Sequence, residues 1–95
     1  MIIETPYKAN DTISIKTGAG EELVARFVSE DDKIIKVAKP LAIMATQQGV
    51  GLGPWVFTVS PDSTVALNKN SILMCHKTES GMASQYVQAT TGVAI

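Results

Sequence analysis

Thr12-Ile13-Ser14-Ile15-Lys16-Thr17-Gly18 opens the stretch that decides the fold. Glu22-Leu23-Val24-Ala25-Arg26-Phe27-Val28, the acidic turn Glu30-Asp31-Asp32 and Ile34-Ile35-Lys36-Val37 follow it. The first piece alternates polar and apolar residues, the period of a strand with one wet face. The last piece, with Ile35 and Val37 on one side, predicts another strand. The middle piece is ambiguous. Leu23 with Phe27 and Val24 with Val28 stand at helical spacing, yet Leu23, Ala25 and Phe27 also share one face of a strand. Two helical turns alone are marginal in water, so Glu22 to Val28 is read as a strand, bent because both of its faces are largely apolar.

Turn residues cut the rest of the chain into short pieces. They fall at Thr17-Gly18-Ala19-Gly20, Glu30-Asp31-Asp32, Gly49 to Pro54, Ser60-Pro61-Asp62-Ser63 and Asn68-Lys69-Asn70. Beyond Pro40, which marks an edge position or a bend, Leu41 to Ala45 continues the third strand. Gly49 to Pro54 reads as a hairpin tip. Trp55, Phe57 and Val59, alternating against Val56 and Thr58, predict a strand. Val65 and Leu67 lead into the Asn68 turn, and Ile72 to His76 follow it. Residues from Gly81 onward carry no charge and no clear period, and read either as a tail that orders on a neighbour or as a loose terminus. Regularly spaced short strands with tight turns make the fold class all-β, a barrel or a sandwich.

The 95 residues make one domain, with a core over about 11–78 and a C-terminal extension over 79–95. Of these residues 45% are hydrophobic and only 18% charged, a high apolar share for a small chain. Either the core is unusually complete or apolar surface is buried against a partner, and the partner is favoured. Eight basic against nine acidic residues give a net charge of −1, without the basic footprint of a duplex-binding protein. The single cysteine, Cys75, forms no internal disulfide, which suits a reducing compartment. Met1 to Pro6 lacks a signal pattern, and no apolar run approaches the ~20 residues that span a bilayer. A cytoplasmic protein without a membrane segment is expected.

No catalytic constellation stands out, so no enzyme is expected. Cys75 and His76 are sequence neighbours, and neighbours on a strand face opposite ways. One Cys and one His do not close a tetrahedral metal site. Gly49-Val50-Gly51-Leu52-Gly53-Pro54 lacks the Lys-Ser/Thr and the helix of a phosphate loop. No cofactor and no metal is expected. The polar loops are the candidate site. Lys33, Asn68, Lys69 and Asn70 carry side chains that can hydrogen-bond base edges and phosphates. In a symmetric ring each of them recurs around the axis, so Lys69 becomes a circle of positive charge.

The order Ile13 to Gly18, Glu22 to Val28, acidic turn and Ile34 to Val37 resembles the first signature of the Sm-like (Lsm/Hfq-type) family. Ala25 stands where that family often has the glycine at which the strand bends. Val65-Ala66-Leu67-Asn68-Lys69-Asn70-Ser71-Ile72-Leu73-Met74 is similar to the second signature, with Asn68-Lys69-Asn70 in place of its Arg-Gly or Lys-His turn. The likeness covers about residues 11–78, and the small size and long hairpin are similar to phage-encoded members, which would place the chain in a host cytoplasm. The resemblance implies a small five-stranded, strongly bent antiparallel open barrel. It implies a homo-oligomeric ring, here about five to seven subunits, in which the fourth and fifth strands pair with neighbours and use up free edges. It also implies single-stranded RNA bound at the pore-facing loops. The family's base-binding asparagine has no counterpart, since Lys33 and Ile34 occupy that place, and neither loop offers an aromatic for stacking. The alternative is a structural or adaptor ring that contacts other proteins without nucleic acid.

Overall fold

A computed structural model describes residues 7–60 and 62–91 of the chain. Six strands and one helix follow in order: β1 (Thr12–Thr17), β2 (Glu22–Glu30), β3 (Ile34–Thr46), β4 (Gly49–Pro54), β5 (Thr64–Asn68), a single 3-10 turn (Lys69–Ser71), β6 (Ile72–Lys77) and α1 (Ser80–Thr91). All the pairings are antiparallel. The sheet runs β4-β3-β2-β1-β6, and β5 pairs with β3 beside β4. β3 is long enough to serve both: Ile34 to Ala38 pair with β5, and Leu41 to Thr46 pair with β4.

Alternation places the core as the sequence predicts. Ile13 and Ile15 of β1, Leu23, Ala25 and Phe27 of β2, and Ile35 and Val37 of β3 form one buried cluster. Val65 and Leu67 of β5 and Ile72 and Cys75 at the far end of the sheet pack against the same cluster. The sheet therefore curls until both of its ends meet one core, yet it stays open: β5 and β6 are joined by the 3-10 turn and do not pair with each other.

The bend has a definite origin. From Val24↔Leu41 to Arg26↔Ala38, β2 advances two residues while β3 advances three. The extra residue is taken up at Lys39-Pro40, opposite Ala25, where Lys39 adopts φ 50°. Proline cannot donate to a ladder, so a bulge is the economical way to carry it through a strand interior. A second bulge follows at Val28, between Phe27↔Val37 and Ser29↔Lys36. Pro40 thus marks the bend, and Leu41 to Ala45 do continue the third strand.

The structure departs from the sequence reading in three places. Six strands form rather than the five that the resemblance implies, and Gly49 to Pro54 is itself a strand and not the hairpin tip. The turn is Gln47-Gln48, closed by the pair Thr46↔Gly49, and Gly49 takes φ 123°. The strand expected over Trp55 to Val59 is absent, since residues 55–60 form no ladder. With no N–H, Pro54 cannot carry the β4 ladder onward, and the chain leaves the sheet there. The third departure is the C-terminal extension. Its described residues form a helix, anchored by Tyr86, which is fully buried. Glu79 starts it by accepting the N–H groups of Gly81 and Met82, the usual way to satisfy orphan donors at a first turn.

Gly49 yields a first expected result. Alanine there must hold a left-handed conformation that its Cβ disfavours. Gly49→Ala lowers stability by about 1–2 kcal/mol, read as a lower urea midpoint, with the β4 register the first part to loosen.

Candidate nucleic-acid interface

The β3–β5 ladder brings the two polar loops to one end of the sheet. Ile34 pairs with Asn68, and the next residue outward closes the contact: Lys69 N–H donates to the Lys33 carbonyl at 2.8 Å. Lys33, Asn68, Lys69 and Asn70, which lie 35 to 37 positions apart across the loops, are therefore neighbours in space.

Each loop is held by its own side chains. Asp31 Oδ1 accepts from the backbone N–H groups of Lys33 and Ile34, both at 2.8 Å. Those two hydrogen bonds, aided by the charges of Lys69 and Lys36, hold the Asp31 carboxyl below the usual carboxylate range. The acidic turn is thus a built Asx turn rather than a merely solvated run. Asn68 Oδ1 accepts from Asn70 N–H at 2.9 Å and caps the 3-10 turn. That bond fixes which end of the Asn68 amide is oxygen and leaves its NH2 as the free donor.

Lys69 stands differently from the sequence expectation. Its ammonium is paired with Glu30, a residue of β2 whose side chain is 17% exposed. In a single chain the positive charge expected at this loop is largely neutralised. Behind the pair lies a cavity of about 290 Å³, lined by Tyr7, Glu30, Ile35, Lys69, Ile72 and Cys75. Burial pushes the Cys75 thiol up, and burial with the adjoining thiol pushes the Tyr7 phenol well above its ordinary value. His76, one position on, is exposed and rests its Nδ1 against the Lys77 carbonyl. The two side chains face apart, as alternation on β6 requires.

An aromatic absent from both loops in sequence is nevertheless beside one of them. Trp55 packs on the core cluster and also lines a groove of about 490 Å³ at the open seam of the sheet. Leu67, Asn68, Ser71 and Ile72, from β5 to β6, and Thr17, Gly18, Ala19 and Glu21, at the β1–β2 turn, line that groove. Gly18 N–H donates to the Ser71 carbonyl at 2.7 Å and joins the two segments. The Trp55 indole N–H donates to Glu21 Oε2 at 3.2 Å. Neither Trp55 nor Glu21 emerges from the sequence as a site residue. The only local signal is a lone tryptophan immediately after Gly53-Pro54, where a strand has to end.

No protein-family model matches the chain, and no curated protein matches it. Among the described residues no helix is long and apolar enough to cross a membrane.

Proposed function

We propose that this chain is an Sm-like protein that assembles into a homo-oligomeric ring of about five to seven copies and binds single-stranded RNA through Lys33, Asn68, Lys69 and Asn70. The observation that carries the RNA reading is the Lys69 N–H to Lys33 carbonyl bond, which joins both polar loops at one sheet end. The ring is supported by the open seam. β5 and β6 each pair on one side only, and β6 exposes Leu73 and Met74. Unpaired edges with exposed apolar residues are what self-association covers. Helix α1 lies outside the part of the chain that the family resemblance addresses.

Fluorescence anisotropy with oligouridine and oligoadenine tests the reading. The assembled protein binds them with an affinity that falls as salt rises, and Lys33→Ala and Lys69→Ala each weaken it. Absence of binding at low salt, or unchanged binding by Lys69→Ala, sinks it. The Glu30 pair adds a sharper expectation. Glu30→Gln releases the Lys69 ammonium and tightens RNA binding about two- to fivefold, the worth of one partly exposed ion pair.

One observation favours an adaptor ring as the second reading. Residues 41–60 contain no charged side chain, and Met44, Val50, Phe57 and Val59 within them are exposed, Phe57 at 83%. A protein partner on that surface would be lost in Phe57→Ser without change in RNA affinity.

A further inference from the structure

We infer that the seam groove is a nucleobase site selective for guanine, with Trp55 as the stacking platform and Glu21 as the reader of the base edge. The groove volume of about 490 Å³ lies within the range of ligand sites, roughly 300–1,000 Å³, and exceeds what one flat heterocycle needs. Much of its lining is apolar: Trp55, Ala66, Leu67 and Ile72. Polar groups stand at the rim, which is the composition of a site that orients a ring rather than a greasy cleft.

The choice of base follows from the rim. The Glu21 carboxylate can only accept hydrogen bonds. The Trp55 indole N–H holds Oε2, which fixes the carboxylate beside the indole and leaves Oε1 and the second lone pair of Oε2 for a ligand. Guanine is the base whose Watson–Crick edge presents two adjacent donors, N1–H and the N2 amino group. Adenine and cytosine set a ring-nitrogen acceptor beside their amino group, and uracil flanks its one N–H with two carbonyls. A carboxylate facing those acceptors is repelled. Across the groove the Asn68 amide has its oxygen engaged by Asn70 N–H, so its NH2 is the end that can donate to guanine O6. Donors and acceptors on the rim match guanine and mismatch the other three bases. The indole face supplies the stacking that single-stranded bases require and that neither polar loop offers.

The inference goes beyond the ring reading, because the groove lies within one chain and a single nucleoside can enter it without assembly. Trp55 is the sole tryptophan of the chain, so fluorescence of the full-length protein excited beyond the absorption of Tyr7 and Tyr86 reports on this site alone. Titration with guanosine gives saturable quenching, and adenosine, cytidine and uridine bind at least about tenfold more weakly, the cost of losing one hydrogen bond to a charged group. Glu21→Gln, which keeps an acceptor for the indole N–H but loses the charge, weakens guanosine at least about tenfold with an unchanged circular dichroism spectrum. The amide resonances of Gly18, Ala19 and Ser71 shift on addition of guanosine. Non-saturable quenching, equal affinity for the four nucleosides, unshifted amides, or guanosine binding untouched by Glu21→Gln overturns the inference. RNA binding that depends on Lys69 would survive each of those results, so the two readings fail separately.

Discussion

Replacing Tyr86 with alanine lowers the unfolding free energy by about 3–5 kcal/mol, a large part of the ~5–15 kcal/mol that holds a domain together. The side chain is fully buried. Its loss leaves a void and also strips two backbone carbonyls of their donor. The Tyr86 hydroxyl donates to Lys39 O at 2.7 Å and to Ala38 O at 3.2 Å. Lys39 lies in the β3 bulge, and Ala38 is the ladder residue just before it. Lys39 answers from the other side: its Nζ lies 3.4 Å from the Thr90 carbonyl in the last turn of α1 and 3.9 Å from Asp62. Helix and bend therefore brace each other. Tyr86→Phe isolates the hydroxyl and costs about 1–3 kcal/mol, with urea unfolding of both variants as the measurement. If Phe costs nothing while Ala costs the full amount, the hydroxyl bonds contribute nothing and the helix is held by packing alone.

The pH dependence of that bond has a defined sign. Burial raises the Tyr86 phenol from 10.0 to about 12. The folded state thus keeps a proton that the unfolded chain releases, and the stability linked to Tyr86 is present below pH 10 and lost as pH rises toward 12. Removing residues 80–95 is consequently no clean test of a partner-binding tail, because it removes Tyr86 as well.

In the proposed ring, Leu73→Lys converts the assembly to a monomer of 10.1 kDa. Leu73 is 71% exposed on β6, so the single chain tolerates the change with little loss of stability. Within a ring the same position is covered by a neighbouring edge. There the substitution forfeits about 1.5–3 kcal/mol of apolar burial and adds an ammonium that must be desolvated. Each interface around the ring bears that loss, so closure fails as a whole. Light scattering after size exclusion reads the result directly. A native protein that is already monomeric removes the ring, and a variant of unchanged mass shows that β6 is not the assembling edge.

Much of the sheet was legible because strand periodicity is local. Ile13 and Ile15, Leu23, Ala25 and Phe27, and Ile35 and Val37 alternate in sequence and are buried as that alternation requires. The bend in β2 announced itself through apolar residues on both faces, Val24 being buried as well as Leu23 and Ala25. The two polar loops were also legible, as strings of Asp, Asn and Lys between strands. Strand β4 was not, since three alternating glycines have low strand propensity, and only the pairing with Leu41 to Thr46 makes them a strand. Nor was α1, whose amphipathic pattern is weak: its anchor is one tyrosine that needs the carbonyls of a distant bulge.

From its own order of residues the chain determined the class of fold, the inward face of each core strand and the chemistry of the loops, because those depend on neighbours two to five positions apart. The tertiary structure alone decided what those groups face. Glu30 meets Lys69 across 39 positions, Glu21 meets Trp55 across 34, and Tyr86 meets Ala38 across 48. Charge at the loop, the aromatic wall of the groove and the support of the bend are properties of contacts that local spacing does not encode; they exist only once the sheet has curled.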